Sequence, residues 1–185
     1  MTQALTMVTS NVNKAHEVAA FFGNSIEILH IALDIPEIRS DDVEEIACGK
    51  ARFAYNELNR PLIVDDTSFS IEALRGFPGP YAAYVLSTIG YQGILRLMEG
   101  ETNRNAAFTT AIAYADETGI SVFSGILAGT ITSNPRGAEG FGYDPIFKVD
   151  GKTLAEIPLA EKSAISHRAR ALTAFRDWFE NRKEG

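Results

Sequence analysis

The feature that most constrains this chain is the alternation in its first third. Residues 4–9 (ALTMVT) are apolar and β-prone. Residues 11–22 then carry Val12, Ala15, Val18, Ala19 and Phe22 at helical spacing, and Gly23-Asn24 stops that helix. Residues 26–33 (IEILHIAL) alternate loosely and read as a second strand. Residues 41–59 form the clearest helix, with Val43, Ile46, Ala47, Ala51, Ala54, Tyr55 and Leu58 in one stripe, Ser40 or Asp41 as cap and Pro61 as stop. Leu62-Ile63-Val64 is a continuous apolar run, which suits a buried strand ending at Asp65-Asp66.

The rest of the chain adds antiparallel character. A short strand is expected over 69–74, a turn at GFPGP (76–80), and short helices over 81–88 and 92–98. Residues 106–115 and 120–132 are rich in β-branched and aromatic residues. Asp116-Glu117-Thr118-Gly119 joins them as a hairpin with a longer loop. Residues 134–145 read as a loop, and one helix is expected over 161–182. Helices and strands interleave around one hairpin, so the class is α/β with a mixed sheet.

Composition narrows the function classes. With 185 residues, 45% of them hydrophobic and 22% charged, the chain fits one domain over 1–185 with a buried core. No apolar run approaches the roughly 18–20 residues of a membrane span, and Met1-Thr2-Gln3 does not open a signal peptide, so cytoplasmic is the default location. One cysteine, Cys48, excludes an internal disulfide framework, and three histidines beside it make no structural zinc site. Seventeen basic against 24 acidic residues give a formal charge of −7. A nucleic-acid polymer is therefore a poor partner, while a small anionic ligand needs only a few convergent cations and a metal ion.

Four clusters carry chemistry. Thr9-Ser10-Asn11-Val12-Asn13-Lys14 lies where a strand passes into a helix, a place that suits a phosphate; taken alone, a Ser/Asn-capped helix with a surface lysine is the plainer reading. Asp65-Asp66-Thr67 puts two carboxylates at a strand end, pointing to opposite faces. One can hold Mg²⁺ or take a proton from water, or the pair is a polar turn. Glu37 is a further carboxylate in apolar surroundings. In the run from Gly137 to Pro145, Phe141 and Tyr143 sit among glycines, suited to stacking on a base, with Asp144 to accept from a ring N–H; a tight aromatic turn is the alternative. In the run from Glu161 to Arg168, Lys162 and Ser166 share a helix face if the run is helical. Lys162 suits a phosphate and His167 and Arg168 a carbonyl oxygen, or the run is a solvated basic face.

The same residues resemble a known family, the inosine triphosphate pyrophosphatases. The matching motifs run in order from Thr9-Ser10-Asn11 with Lys14, through Asp65-Asp66-Thr67 and Gly76-Phe77-Pro78-Gly79-Pro80-Tyr81, to Gly140-Phe141-Gly142-Tyr143-Asp144-Pro145-Ile146-Phe147, Ala155-Glu156, Glu161-Lys162 and Ser166-His167-Arg168. The resemblance implies a long twisted mixed β-sheet with flanking helices, two lobes enclosing a central cleft, and a homodimer. It implies Mg²⁺-dependent hydrolysis of non-standard purine nucleoside triphosphates (ITP, dITP, XTP) to a monophosphate and pyrophosphate. Carried over, Asp66 is the proton acceptor, Glu37, Asp66 and Asp65 are the metal-site acids, and Glu45 is an outer candidate. Thr9, Ser10, Asn11, Lys14, Lys50, Thr67 and Lys162 contact substrate. Phe141, Gly142, Tyr143 and Asp144 with His167 and Arg168 form the base pocket. Donation from Arg168, His167 or backbone N–H to a 6-oxo group would favour hypoxanthine and xanthine over adenine.

Two positions depart from the family pattern: Ser68 stands where many members have glycine, so the local turn differs, and Ile46 where many have asparagine. Two other functions fit the same clusters. One is a pyrophosphatase for other modified nucleotides. The other is a non-catalytic nucleotide-binding module. Residues 81–91, aromatic and nearly uncharged, offer a dimer patch or a core-facing helix.

Overall fold

The computed structural model describes residues 3–182. Met1 and Thr2, read above for a leader, lie outside the described residues. Eight strands form one mixed sheet. The first half alternates β1 (Gln3–Val8), α1 (Val12–Phe22), β2 (Ile26–Ile31), α2 (Val43–Leu58) and β3 (Leu62–Ile71). Then follow β4 (Pro78–Gly79), α3 (Ala82–Thr88), α4 (Gly90–Leu97), β5 (Asn105–Asp116), β6 (Gly119–Ile131), β7 (Phe147–Val149) and β8 (Lys152–Thr153). The chain ends in α5 (Leu159–Ile165) and α6 (His167–Asn181). The strand order is β2-β1-β3-β5-β6-β7-β8, with β4 beside β3. β1 lies parallel to both β2 and β3, joined through α1 and α2; from β3 onward the pairings are antiparallel. No helix among the described residues is long and apolar enough to cross a membrane.

Strand alternation divides the core. Leu62 and Val64 of β3, with Ala111, Ala113 and Ala115 of β5, pack against Val43, Ala47, Ala51 and Ala54 of α2. The small side chains on both sides let α2 lie close to the sheet. Ile63, Ile112 and Tyr114 point to the other face, onto Ala15, Val18 and Phe22 of α1 and Leu172 and Phe175 of α6. At Gly125 in β6, an added Cβ would lie 2.2 Å from the His167 carbonyl oxygen. A side chain there would lift the start of α6 off the sheet.

Four expectations change. β3 does not stop at Asp65-Asp66: it runs unbroken to Ile71, and Ser68 pairs with Thr109 in mid-strand, so there is no turn for its glycine-to-serine departure to alter. The Asp116–Gly119 connection is tight, because Asp116 pairs with Gly119 across the ladder and Asp116 Oδ1 accepts from the Thr118 N–H and hydroxyl. The cap of α2 is Asp42, whose carboxylate accepts from the Glu44 N–H at 2.8 Å; Ser40 accepts from the Asp42 N–H instead. The C-terminal helix is two helices. Ser166 is extended (φ −67°, ψ 160°) and its hydroxyl caps α6 by accepting from the Ala169 N–H, so Lys162 and Ser166 do not share a helix face.

Candidate functional site

A cleft of about 550 Å³ opens along the middle of β3 between the start of α1, α2, α3 and the Gly140–Asp144 loop, and both Asp65 and Asp66, from opposite faces of the strand, line it. Every site residue expected from sequence, from Thr9 to Arg168, lines it. Glu45 does not; its carboxylate accepts from the Ser40 hydroxyl at 2.8 Å. Ile46, the other departure, is a buried core residue.

At one end, Asn11 caps α1 by accepting from the Asn13 and Lys14 N–H groups, and Thr9 Oγ1 accepts from the Asn11 N–H at 3.1 Å. The cap reading holds, and the same turn sets Ser10 and Lys14 on the cleft wall.

Asp65 and Asp66 separate by strand alternation. Asp66 faces α2, where Lys50 Nζ donates to its Oδ1 at 2.7 Å. The same ammonium pairs with Glu37, whose side chain is 65% exposed. Burial pushes the Asp66 carboxyl above its ordinary pKa against the pull of Lys14 and Lys50. Asp65 faces α1 and α6. Its Oδ1 lies 3.0 Å from Lys14 Nζ, and its Oδ2 accepts from Arg168 Nε at 2.8 Å. Burial alone would raise Asp65, but Lys14 and Arg168 outweigh it and hold the carboxyl well below the usual range.

Among the described residues, no three His, Cys, Asp or Glu side chains converge as a complete metal cage. Glu37 and Asp66 do share one cation, the Lys50 ammonium. Two hard oxygen donors converging on one positive charge, with open cleft beside them, fit Mg²⁺, which keeps waters and takes substrate phosphates as further ligands.

The Asp65 side is a buried lattice of charge. Arg168 Nη1 also donates to Glu17, and Lys162 Nζ lies 2.5 Å from Glu17 and 2.7 Å from Asp144. Asp65, Glu17 and Asp144 thus face Lys14, Lys162 and Arg168, so the buried charges balance. Sequence reasoning missed Glu17. The available signal was its place three residues after Lys14, on the same helix face. Asp144 spends its carboxylate on Lys162 and on the Phe141 N–H at 2.9 Å. Gly140 makes that loop possible: its φ is +73°, and an added Cβ would lie 2.1 Å from Asp144 Oδ2.

The far wall is aromatic. Tyr143 stacks on Phe69 at 4.6 Å, Phe69 on Phe108 at 4.4 Å, and Phe108 on His167 at 4.7 Å. Tyr143 donates to the Ala82 carbonyl at 2.7 Å, which ties the stack to α3. Lys162 Nζ sits 5.0 Å from the centre of the Phe141 ring. His167 is held well below the ordinary imidazole pKa by burial, and then by Arg168 and Lys162, so its ring is neutral. The cleft therefore offers cations at one end, a carboxylate pair at its centre and rings with donors at the other.

Known proteins share this arrangement of chain. The chain is 48% identical over 181 residues to the dITP/XTP pyrophosphatase of Methanopyrus kandleri, covering 96% of each. It is 37% identical over 178 residues to the inosine triphosphate pyrophosphatase of Emericella nidulans, covering 95% of this chain and 96% of that one. The solved structure of the Staphylococcus aureus Ham1 protein superposes with a TM-score of 0.83 at 28% identity, over 97% of this chain and 100% of that one. A profile of the Ham1 family matches residues 5–178, and with sequence, fold and chain length in agreement, the chain belongs to the Ham1 family.

Proposed function

We propose that this chain hydrolyses the triphosphates of inosine, deoxyinosine and xanthosine to the nucleoside monophosphate and pyrophosphate. The observation that carries the reading is one cleft that joins a cationic turn, a carboxylate pair sharing one cation, and an aromatic wall ending in His167 and Arg168. The names borne by its relatives support it.

Asp66 orients the attacking water and accepts its proton; its raised pKa makes it a stronger base than an ordinary aspartate. Thr9, Ser10, Asn11, Lys14 and Thr67 bind the polyphosphate, and Lys50 steers the Asp66 and Glu37 carboxylates. Glu37 and Asp66 would hold Mg²⁺, which when bound neutralises charge on the phosphates. Asp65 serves as an anchor: both its oxygens are taken by Lys14 and Arg168. Lys162 closes the base end, braced by Glu17 and Asp144. Phe141, Gly142 and Tyr143 shape the base wall, and His167 and Arg168 donate toward the 6-oxo group. Adenine would meet those donors with its own 6-amino donor, and a site built around such hydrogen bonds can discriminate by about 10⁴. The enzyme works in the cytoplasm as a homodimer, for which the exposed Tyr84 and Ile89 offer an apolar face.

Product analysis with ITP, dITP, XTP, GTP and ATP, with Mg²⁺ and with EDTA, tests the reading. Monophosphate and pyrophosphate from ITP, dITP and XTP, only with Mg²⁺ and with ATP and GTP spared, is the expected result. Orthophosphate and a diphosphate would move the cut to the terminal bond. Binding without turnover would leave a nucleotide-binding module.

A further inference from the structure

Thr110 is a fully buried hydroxyl in the middle of β5. It is the cross-strand partner of Thr67, and the two Oγ1 atoms lie 2.8 Å apart. On its other side, Thr110 Oγ1 lies 2.6 Å from His167 Nδ1. Arg168 Nη2 completes the row, donating to Thr67 Oγ1 at 3.3 Å.

One end of this row has a fixed direction. A guanidinium only donates, and each hydroxyl has a single hydrogen to give. The row in which each hydroxyl both accepts and donates among these groups runs from Arg168 to Thr67, from Thr67 to Thr110 and from Thr110 to His167 Nδ1. Every hydroxyl hydrogen then has an acceptor. The reverse row would start from an Nδ1–H. It would use both lone pairs of Thr67 Oγ1 and leave the Thr67 hydrogen outside the row, turned to the cleft that half-buried Thr67 lines. Burial, with Arg168 and Lys162 beside it, keeps the imidazole neutral, so the ring carries one hydrogen. With Nδ1 accepting, that hydrogen is on Nε2. Stacking on Phe108 holds the ring plane, and His167 lines the cleft.

We propose that Thr110 is a positioning residue: its hydroxyl fixes His167 as the Nε2–H tautomer, so that the ring offers the cleft a donor and sets the preference for 6-oxo over 6-amino purines. The selectivity half rests on the function proposed above; the tautomer half does not. The opposite tautomer would offer an acceptor, which suits adenine.

The test uses the full chain labelled with ¹⁵N-histidine and long-range ¹H–¹⁵N correlation at neutral pH. His167→Gln identifies the His167 signals against those of His16 and His30. The expected wild-type pattern is a protonated Nε2 and a bare Nδ1. Thr110→Val keeps the shape and removes the hydroxyl. It should mix the tautomers and lower the ratio of kcat/KM for ITP over ATP by about tenfold, one hydrogen bond's worth. Thr110→Ser should restore both readouts. A protonated Nδ1 in the wild type overturns the proposal without any variant, so a Thr110→Val that does not fold cannot shelter it. An unchanged tautomer in folded Thr110→Val also overturns it, and a changed tautomer with unchanged selectivity overturns the link to the base. If the wild type hydrolyses neither ITP nor XTP, the proposed function fails while the tautomer pattern is still read.

Discussion

Asp65 and Asp66 are neighbours in one strand, and the two sides of the sheet treat them in opposite ways. On the α1 and α6 side, Asp65 is locked between Lys14 and Arg168, and the surrounding charges are paired and buried. On the α2 side, Asp66 shares one lysine with a mostly exposed glutamate beside open cleft. The first environment favours a permanent anion; the second disfavours charge and leaves the group ready to take a proton. The difference teaches that identical side chains gain separate duties from strand alternation alone, once helices of different charge cover the two faces.

The largest expected break in that comparison is in rate. Asp66→Asn keeps the shape and removes the base, so kcat for ITP should fall by about 10²–10⁴ with a much smaller change in KM, read by pyrophosphate release. Its unfolding midpoint should stay near the wild type. Near-normal turnover would take the base role from Asp66. Asp65→Asn should show the reverse emphasis. It takes the ion-pair partner from Lys14 and leaves Arg168 with Glu17 as its carboxylate, which should cost roughly 3 kcal/mol by urea unfolding. A loss under 1 kcal/mol would mean the lattice absorbs the change. Next comes Glu17→Gln, which weakens charge-assisted bonds to Lys162 and Arg168 together. About 2 kcal/mol of stability should go, measured the same way.

Much of this was legible in the sequence, for identifiable reasons. The apolar stripe of α2 and the alternation of strand and helix are local patterns, so they read directly. The opposed facing of Asp65 and Asp66 follows from the strand period. The continuity of β3 did not read, because four polar residues in a row look like a turn. Partners far along the chain neutralise them: Lys50, Arg168 and Thr110. The break at Ser166 was hidden because helical spacing continues across it, and only a hydroxyl cap marks the new start. Thr110 carried no phase signal beside Thr109, and Glu17 looked like one more surface acid on a helix. In each case the missing information was the identity of a distant partner.

The smallest effect is a pair of opposite slopes, and it sharpens the comparison most. The metal-free chain, in EDTA, is unfolded with urea across acid to neutral pH. The folded pKa of Asp65 is depressed, so its contribution is present above the unfolded carboxylate value and is lost as pH falls toward the folded one. The folded pKa of Asp66 is raised, so its contribution is present below the unfolded value and is lost as pH rises through the folded one. Neither group can change stability faster than about 1.4 kcal/mol per pH unit. Wild type minus Asp66→Asn should therefore decline as pH rises just above the ordinary carboxylate range. Wild type minus Asp65→Asn should climb as pH rises below it. Slopes of the same sign would mean that both faces of β3 present one electrostatic environment, and the division of duties between the two carboxylates would have to come from access to the cleft alone.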